Sequence, residues 1–223
     1  LKNLSFTVEK GEWFGLLGPN GAGKTTFCDI LLDITTPSTG RILVDGIDVN
    51  KEHSKTKGKI CAIQYWYFKN RLSVRDTLRT TALEWLIDEG TADERIEWLA
   101  DLFQITDRLD DWFIRLSDGM RVKVQLIATL ITQAELLVFD EPTPKLDVMT
   151  RRKLYTELKQ YQNKTRTTII WTTHNMAEAE KTCDRIAVIN NKLLVLTTPG
   201  ELVRDMEKAD LEEAFIELLR REV

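Results

Sequence analysis

Residues Gly18 to Thr25 read G-P-N-G-A-G-K-T, and the residues on either side leave few folds open to the chain. Before them, Glu12-Trp13-Phe14-Gly15-Leu16-Leu17 is a short apolar run suited to a buried strand. After them, Phe27, Ile30, Leu31 and Leu32 recur at helical spacing between Thr25 and Leu32. A strand therefore feeds a glycine-rich turn that opens a helix. Such a turn aims backbone N–H groups and the positive end of the helix dipole at one spot, which suits phosphate. Lys24 can reach the β- and γ-phosphates, and the Thr25 hydroxyl can hold Mg2+. The pattern implies a nucleoside triphosphate site.

The rest of the chain alternates. Asn3 to Val8, Arg41 to Val44 and Lys59 to Gln64 read as strands, the second ended by the turn Asp45-Gly46. Thr35 to Gly40 is a loop, and Lys51 to Lys59 a basic, solvated one with His53 at its surface. From about Leu72 to Leu130 only helical spacing occurs. Leu78, Leu83, Leu86 and Ile87, then Ile96, Leu99, Leu102 and Phe103, are separated by charges. Strands are expected again at Glu135 to Phe139, Thr167 to Trp171, Arg185 to Ile189 and Lys192 to Leu196. Helices at Val148 to Tyr161 and Met176 to Thr182 separate the first three, which predicts a mostly parallel sheet covered on both faces. Leu211 to Arg221 closes the chain as an amphipathic helix, with Leu211, Phe215, Leu218 and Leu219 on one side.

Composition narrows the partners. In 223 residues the net charge is -4, which argues against nucleic acid, since phosphate backbones select basic faces. No apolar run approaches the length of a membrane span. Cys28, Cys61 and Cys183 are scattered and lack metal spacing, so buried, reduced thiols in a cytosolic setting are expected. There is no leader pattern, and a start at Leu1 fits a module of something longer.

A second set of residues adds chemistry. Leu136-Leu137-Val138-Phe139-Asp140-Glu141 is an apolar strand ending in two acids at the sheet edge where α/β proteins place ligands. Asp140 can hold Mg2+ through water, and Glu141 can orient or deprotonate the attacking water. Leu116-Ser117-Asp118-Gly119-Met120 leads into a helix, and His174 ends the strand Trp171-Thr172-Thr173, where an imidazole could bond a γ-phosphate. Taken in order, these stretches resemble the nucleotide-binding domain of ATP-binding-cassette transporters, from Leu4 to Leu219. The resemblance implies an α/β fold with a P-loop NTPase core. Its mostly parallel sheet is flanked by helices, with an antiparallel N-terminal β part and an inserted helical subdomain. The core is expected over about 1–64 and 133–198, the helical subdomain over about 65–132 and a helical tail over about 199–223.

By the same resemblance, ATP is bound by Gly18, Asn20, Gly21, Ala22, Gly23, Lys24, Thr25 and Thr26 on one domain. Ser117, Gly119 and Asp147 of another domain cover it, the two meeting head to tail as a homo- or heterodimer. Glu141, His174, Lys24 and Gln64 take the catalytic roles, and Thr25, Gln64 and Asp140 the metal. Spacing from Ile60 points to Tyr65 instead of Gln64, whereas spacing to Leu72-Ser73-Val74 and side-chain chemistry favour Gln64. ATP and Mg2+ are the implied cofactors, an integral membrane permease the implied partner, and the inner face of the cell membrane the implied location. The stretch Leu211-Glu212-Glu213-Ala214-Phe215 resembles the ending of ATPase subunits from bacterial drug, antibiotic and polysaccharide exporters.

The chain departs from that family at two positions. Asp118 stands where glycine is usual, either as a helix cap or as a carboxylate competing with ATP, so a functional but weakened signature is expected. Lys145 replaces a small residue. Both favour a regulatory cassette with weakened hydrolysis; Lys24, Glu141 and His174 favour a working ATPase. A soluble cassette of the translation or repair kind normally carries paired cassettes, a coiled coil or zinc motifs, none of which occurs in these residues. Trp66, Trp85, Trp98 and Trp112 are expected to be buried, the alternative being a docking surface.

Overall fold

A computed structural model of the chain describes residues 1–63, 72–143 and 146–221. Gln64, Tyr65, Trp66 and Lys145 lie outside the described residues. Two compact units are formed. One comprises Leu1–Lys57, Val138–Glu141 and Arg166–Val223, the other Gly58–Leu137 and Pro142–Thr165.

In the first unit, β1 (Trp13–Leu17) runs through the glycine turn into α1 (Lys24–Leu31). The hairpin of β2 (Leu43–Val44) and β3 (Ile47–Asp48) follows, then α2 (His53–Thr56). Asp45 at φ 52 and Gly46 at φ 78 form the two-residue turn that matches strand twist, as Asp-Gly predicts. The short helix α2 interrupts the basic segment expected to be a loop, and His53 is exposed beside Asp33.

The second unit contains β4 (Ile60–Ala62), α3 (Val74–Glu84), α4 (Glu89–Leu102), α5 (Asp118–Leu130), the start of β5 (Leu136–Asp140), and α6 (Val148–Thr165). Within it the Leu136 N–H donates to the Lys59 carbonyl at 3.0 Å, setting β4 beside the start of β5. The first unit resumes with β6 (Thr168–Thr173), α7 (Met176–Thr182), β7 (Arg185–Ile189), β8 (Leu193–Thr197), α8 (Pro199–Asp205) and α9 (Leu211–Arg221).

The sheet of the first unit runs β5-β6-β1-β7-β8. Strand β1 is parallel to both β6 and β7, with Gly15 opposite Trp171 on one side and Ile186 on the other; β8 closes the edge antiparallel. A strand paired on both edges and covered on both faces must be apolar throughout, and β1 is buried at every residue. Trp171 packs on Trp13 and Phe139, with ring centroids 5.5 Å and 5.4 Å away.

Further expectations fail here. Residues 3 to 8 form no strand, although Leu4, Phe6 and Val8 are more covered than their neighbours. Their alternation serves packing: Phe6 stacks on Phe14 at 5.2 Å and meets Phe27 at 5.5 Å. Leu83 and Leu86 are exposed, at 70% and 91%. The buried face of α3 is Val74, Thr77, Leu78, Thr81 and Ala82; Leu86 lies past the helix end at φ 56, where the helical period no longer applies. Finally, Trp85 and Trp98 are only half-buried and Trp112 is exposed. Trp98 stacks on Tyr161, centroids 5.7 Å apart, and the Lys164 ammonium lies 4.3 Å from its ring centroid, a cation–π contact that keeps part of the ring near solvent-facing charge rather than in the core.

Candidate active site

The loop between β1 and α1 is shaped by two glycines. A Cβ on Gly18 would sit 2.4 Å from the Ile189 carbonyl oxygen and 2.9 Å from the Ala22 Cβ. Gly23 opens α1 at φ 99, in the left-handed region that side chains avoid. Asn20 and Gly21 form an exposed rim over the buried Ala22. No side chain caps α1. By helix geometry its leading N–H groups, including those of Lys24, Thr25 and Thr26, have no intrahelical acceptor and are available to an anion.

Lys24 is buried, and its ammonium donates to the carbonyls of Gly18 at 2.8 Å and Pro19 at 3.2 Å. It also lies 3.5 Å from Glu141 Oε1. A buried ammonium needs such partners, and loop carbonyls plus a carboxylate supply them. Asp140, the last residue of β5, accepts from the Thr25 hydroxyl at 2.9 Å on one oxygen and from the Thr172 hydroxyl on the other.

Glu141 follows at φ 46, an uncommon conformation for a residue with a side chain. Its N–H donates to the Thr172 carbonyl at 3.2 Å and meets the Thr172 hydroxyl at 3.1 Å, which holds the turn. The Glu141 carboxylate thereby bridges two groups: Oε1 faces Lys24, and Oε2 lies 3.1 Å from Nδ1 of His174. His174 is exposed on a loop pinned from beneath. The buried Glu178 accepts from the Thr173 hydroxyl at 2.9 Å and from the Asn175 amide at 3.2 Å, while Asn175 caps α7.

Lys24, Thr25, Asp140, Glu141 and His174 thus gather in one unit within direct bonding reach. Thr26 is exposed on the first turn of α1. Thr172, which ties both acids down, was not singled out from the sequence. Its one cue is a pair of threonines ending the apolar run Thr168-Ile169-Ile170-Trp171. Cys28 lies buried on α1, and burial first, then the nearby Asp140 charge, raises its thiol far above the ordinary value. Cys61 is pushed up to about 12 by burial, and Cys183 is also buried, so all three are buried thiols outside any disulfide, as expected.

Ser117, Gly119 and Asp147 belong to the second unit. Ser117 caps α5, its hydroxyl accepting the Met120 N–H at 3.4 Å. Asp118 is therefore the first helical residue and not the cap; it is exposed and paired with Arg121 at 3.4 Å. Asp147 accepts the N–H groups of Met149 at 3.0 Å and Thr150 at 3.1 Å at the start of α6. Hydrogen bonds from the Thr150 side chain and then its amide hold that carboxyl below the usual range. Gln64, counted among the metal and catalytic residues, lies outside the described residues. No helix among them is long and apolar enough to cross a membrane.

The model of the ABC transporter family matches residues 1–144, and an AAA-domain model matches residues 112–180. The linearmycin resistance ATP-binding protein LnrL of Bacillus subtilis (strain 168) is 32% identical over 230 residues, 99% of this chain and 74% of that protein. The ABC transporter ATP-binding protein NatA of the same strain is 30% identical over 224 residues, covering 99% and 91%. A Nod factor export ATP-binding protein I of Cupriavidus metallidurans is 32% identical over 215 residues, covering 96% and 71%. Among solved structures, an ATP-binding subunit of an ABC transporter superposes with TM-score 0.84 at 25% identity, covering 98% and 92%. CbiO1 from Clostridium perfringens, part of the ABC transporter complex cbiONQ, gives 0.82 at 26%, covering 99% and 92%.

Proposed function

The chain belongs to the ABC transporter family as an ATP-binding subunit, and from that premise we propose that it hydrolyses ATP with Mg2+ to drive export through a membrane permease. Lys24, Thr25, Thr26 and the loop amides from Asn20 to Gly23 bind the phosphates. The ammonium leaves the carbonyls of Gly18 and Pro19 for β- and γ-phosphate oxygens, a charge it meets at no extra desolvation because it is already buried. The hydroxyl of Thr25 and the carboxylate of Asp140 are adjacent hard oxygen donors, a set that fits Mg2+ with phosphate and water completing its shell. Held by Thr25 and Asp140, Mg2+ would supply charge neutralisation to the phosphates. Gln64 is proposed as a further ligand.

Glu141 takes the proton of the attacking water, whose oxygen bonds to the γ-phosphorus as the bond to the β-phosphate bridging oxygen breaks. His174 positions that carboxylate and donates to the γ-phosphate. The observation that carries this reading is the Glu141 carboxylate held between Lys24 and His174, 3.5 Å and 3.1 Å away.

Ser117, Gly119 and Asp147 cover the ATP of a second such domain, so ATP joins two domains and its hydrolysis releases them. The division into a core over 1–64 and 133–198, a helical subdomain over 65–132 and a tail over 199–223 belongs to the same proposal, as does a location at the inner face of the membrane. Export is favoured by the names of the relatives, which act in linearmycin resistance and Nod factor export.

Glu141→Gln tests the chemistry. Removing the base is expected to slow turnover by at least roughly a hundredfold while an ATP-bound dimer accumulates in gel filtration. Unchanged turnover, or no dimer with ATP bound, refutes the assignment.

A further inference from the structure

Helices α5 and α6 begin at the two segments proposed to face a second domain's nucleotide, Ser117 to Gly119 and Asp147. The two helices approach each other at points along their length. Near the start Gly119 faces Thr150, and a Cβ there would lie 3.3 Å from the Thr150 methyl. Midway, Lys123 Nζ is 2.9 Å from Glu157 Oε1. Further on, the Tyr161 hydroxyl donates to the Leu130 carbonyl at 3.2 Å. Residue numbers rise together on both helices, so they run in one direction and open on the same side.

The middle contact is an ion pair. Both side chains are buried, at 7% and 3% exposure. Lys123 also donates to the carbonyl of Phe103, the capping residue of α4, at 2.7 Å, where a cation meets the negative end of that helix. The second oxygen of Glu157 is buried without a hydrogen-bond partner. Buried ion pairs contribute little net stability, because desolvation offsets their attraction and apolar residues of similar volume often do as well. Their bonds are directional, however, and select one rotation and one register where apolar surfaces tolerate a slide.

We propose that Lys123 and Glu157 are positioning residues that lock α5 to α6 in register, so that Ser117, Gly119 and Asp147 reach a second domain's ATP as one surface. The inference rests on the reading of the chain as an ATPase that closes on a second domain. Gly119 lies one helical turn, about 6 Å, from Lys123. A slip of one residue at the pair therefore moves the start of α5 by about 1.5 Å. Displacements of that size slow well-ordered sites severely.

The test replaces both partners by apolar residues of similar size, Lys123→Met with Glu157→Leu, leaving no charge stranded. The double variant is expected to fold and melt as the parent does and to bind a fluorescent ATP analogue with the parent affinity. Turnover is expected to fall roughly tenfold, and the ATP-bound dimer trapped by Glu141→Gln to weaken by a similar factor. Turnover within about twofold of the parent overturns the proposal, since a purely structural pair predicts that result. Should the double variant not fold, Glu157→Asp decides. Shortening the acid is expected to lower turnover, and adding Lys123→Arg, which restores the reach, to recover it; equal turnover in both overturns the proposal. A parent chain that neither hydrolyses nor dimerises with ATP and magnesium instead overturns the functional reading beneath it.

Discussion

Replacing Thr172 with valine removes one hydroxyl from the floor of the site and leaves the shape of the strand nearly unchanged. Thr172 is fully buried on β6, and valine is at home in a strand. What is lost is a hydrogen bond to the Asp140 carboxylate and a second acceptor for the Glu141 N–H. The amide is not orphaned, because it keeps the Thr172 carbonyl at 3.2 Å. A hydrogen bond to a charged group contributes about 1.5–3 kcal/mol. Asp140 keeps Thr25 and is only partly buried, so water can recover some of the loss and about 2 kcal/mol is expected. That is roughly a 30-fold shift in the folding equilibrium. With an ordinary urea dependence the midpoint drops by about 1 M, with unchanged slope. Turnover is expected to fall roughly tenfold as each acid loses one of its two anchors. Thr172→Ser, which keeps the hydroxyl, separates the polar effect from packing. A valine variant with the parent midpoint and parent turnover would show that the hydroxyl does not hold the two acids.

Gly18→Ala forces a Cβ to within 2.4 Å of the Ile189 carbonyl, a backbone atom that cannot swing aside. A stability loss of about 1–3 kcal/mol is expected, with ATP binding weakened at least roughly tenfold as the loop shifts; a melt and a fluorescent-nucleotide titration measure both, and parent values in each refute the close approach. Acid stability follows from carboxylates held below their ordinary values. Asp88 and Asp147 are lowered from 3.8 by hydrogen bonds from Thr91 and Thr150. Glu201 and Glu217 are lowered from 4.5 by the Thr198 amide and the Arg221 side chain. A lowered folded value means that the unfolded chain binds the proton first, so their stabilisation is present above the ordinary values and lost as pH falls through the folded ones. Glu157, raised by burial, acts in the opposite sense. Urea midpoints should decline from about pH 5 to about pH 3, and a flat or rising trend refutes the assignment.

Much of this molecule is legible one segment at a time. Gly18 to Thr26 stands out because a glycine turn between an apolar strand and a helix suits an anion, and its lysine and threonine suit a phosphate and a metal. Asp45-Gly46 declares its turn because both residues accept positive φ. Where local signals mislead, a partner far along the chain is the cause. Phe6 alternates because Phe14 and Phe27 lie across from it, not because it sits in a strand. Ser117 and not Asp118 caps α5, since a cap depends on the backbone angle at which the helix begins, and both residue types are good caps.

Order and spacing along the chain were enough to identify the fold class and to single out the glycine loop, Asp140 at the end of β5 and Glu141 after it as candidate site residues, because each belongs to a run of neighbouring residues with local physics. Only the folded chain could decide that Thr172, 32 positions from Asp140, holds that acid in place, or that Lys123 and Glu157, 34 apart, would meet away from water. Such pairings arise when distant strands and helices are packed together, and side-chain chemistry alone does not say which of many possible partners each group will find.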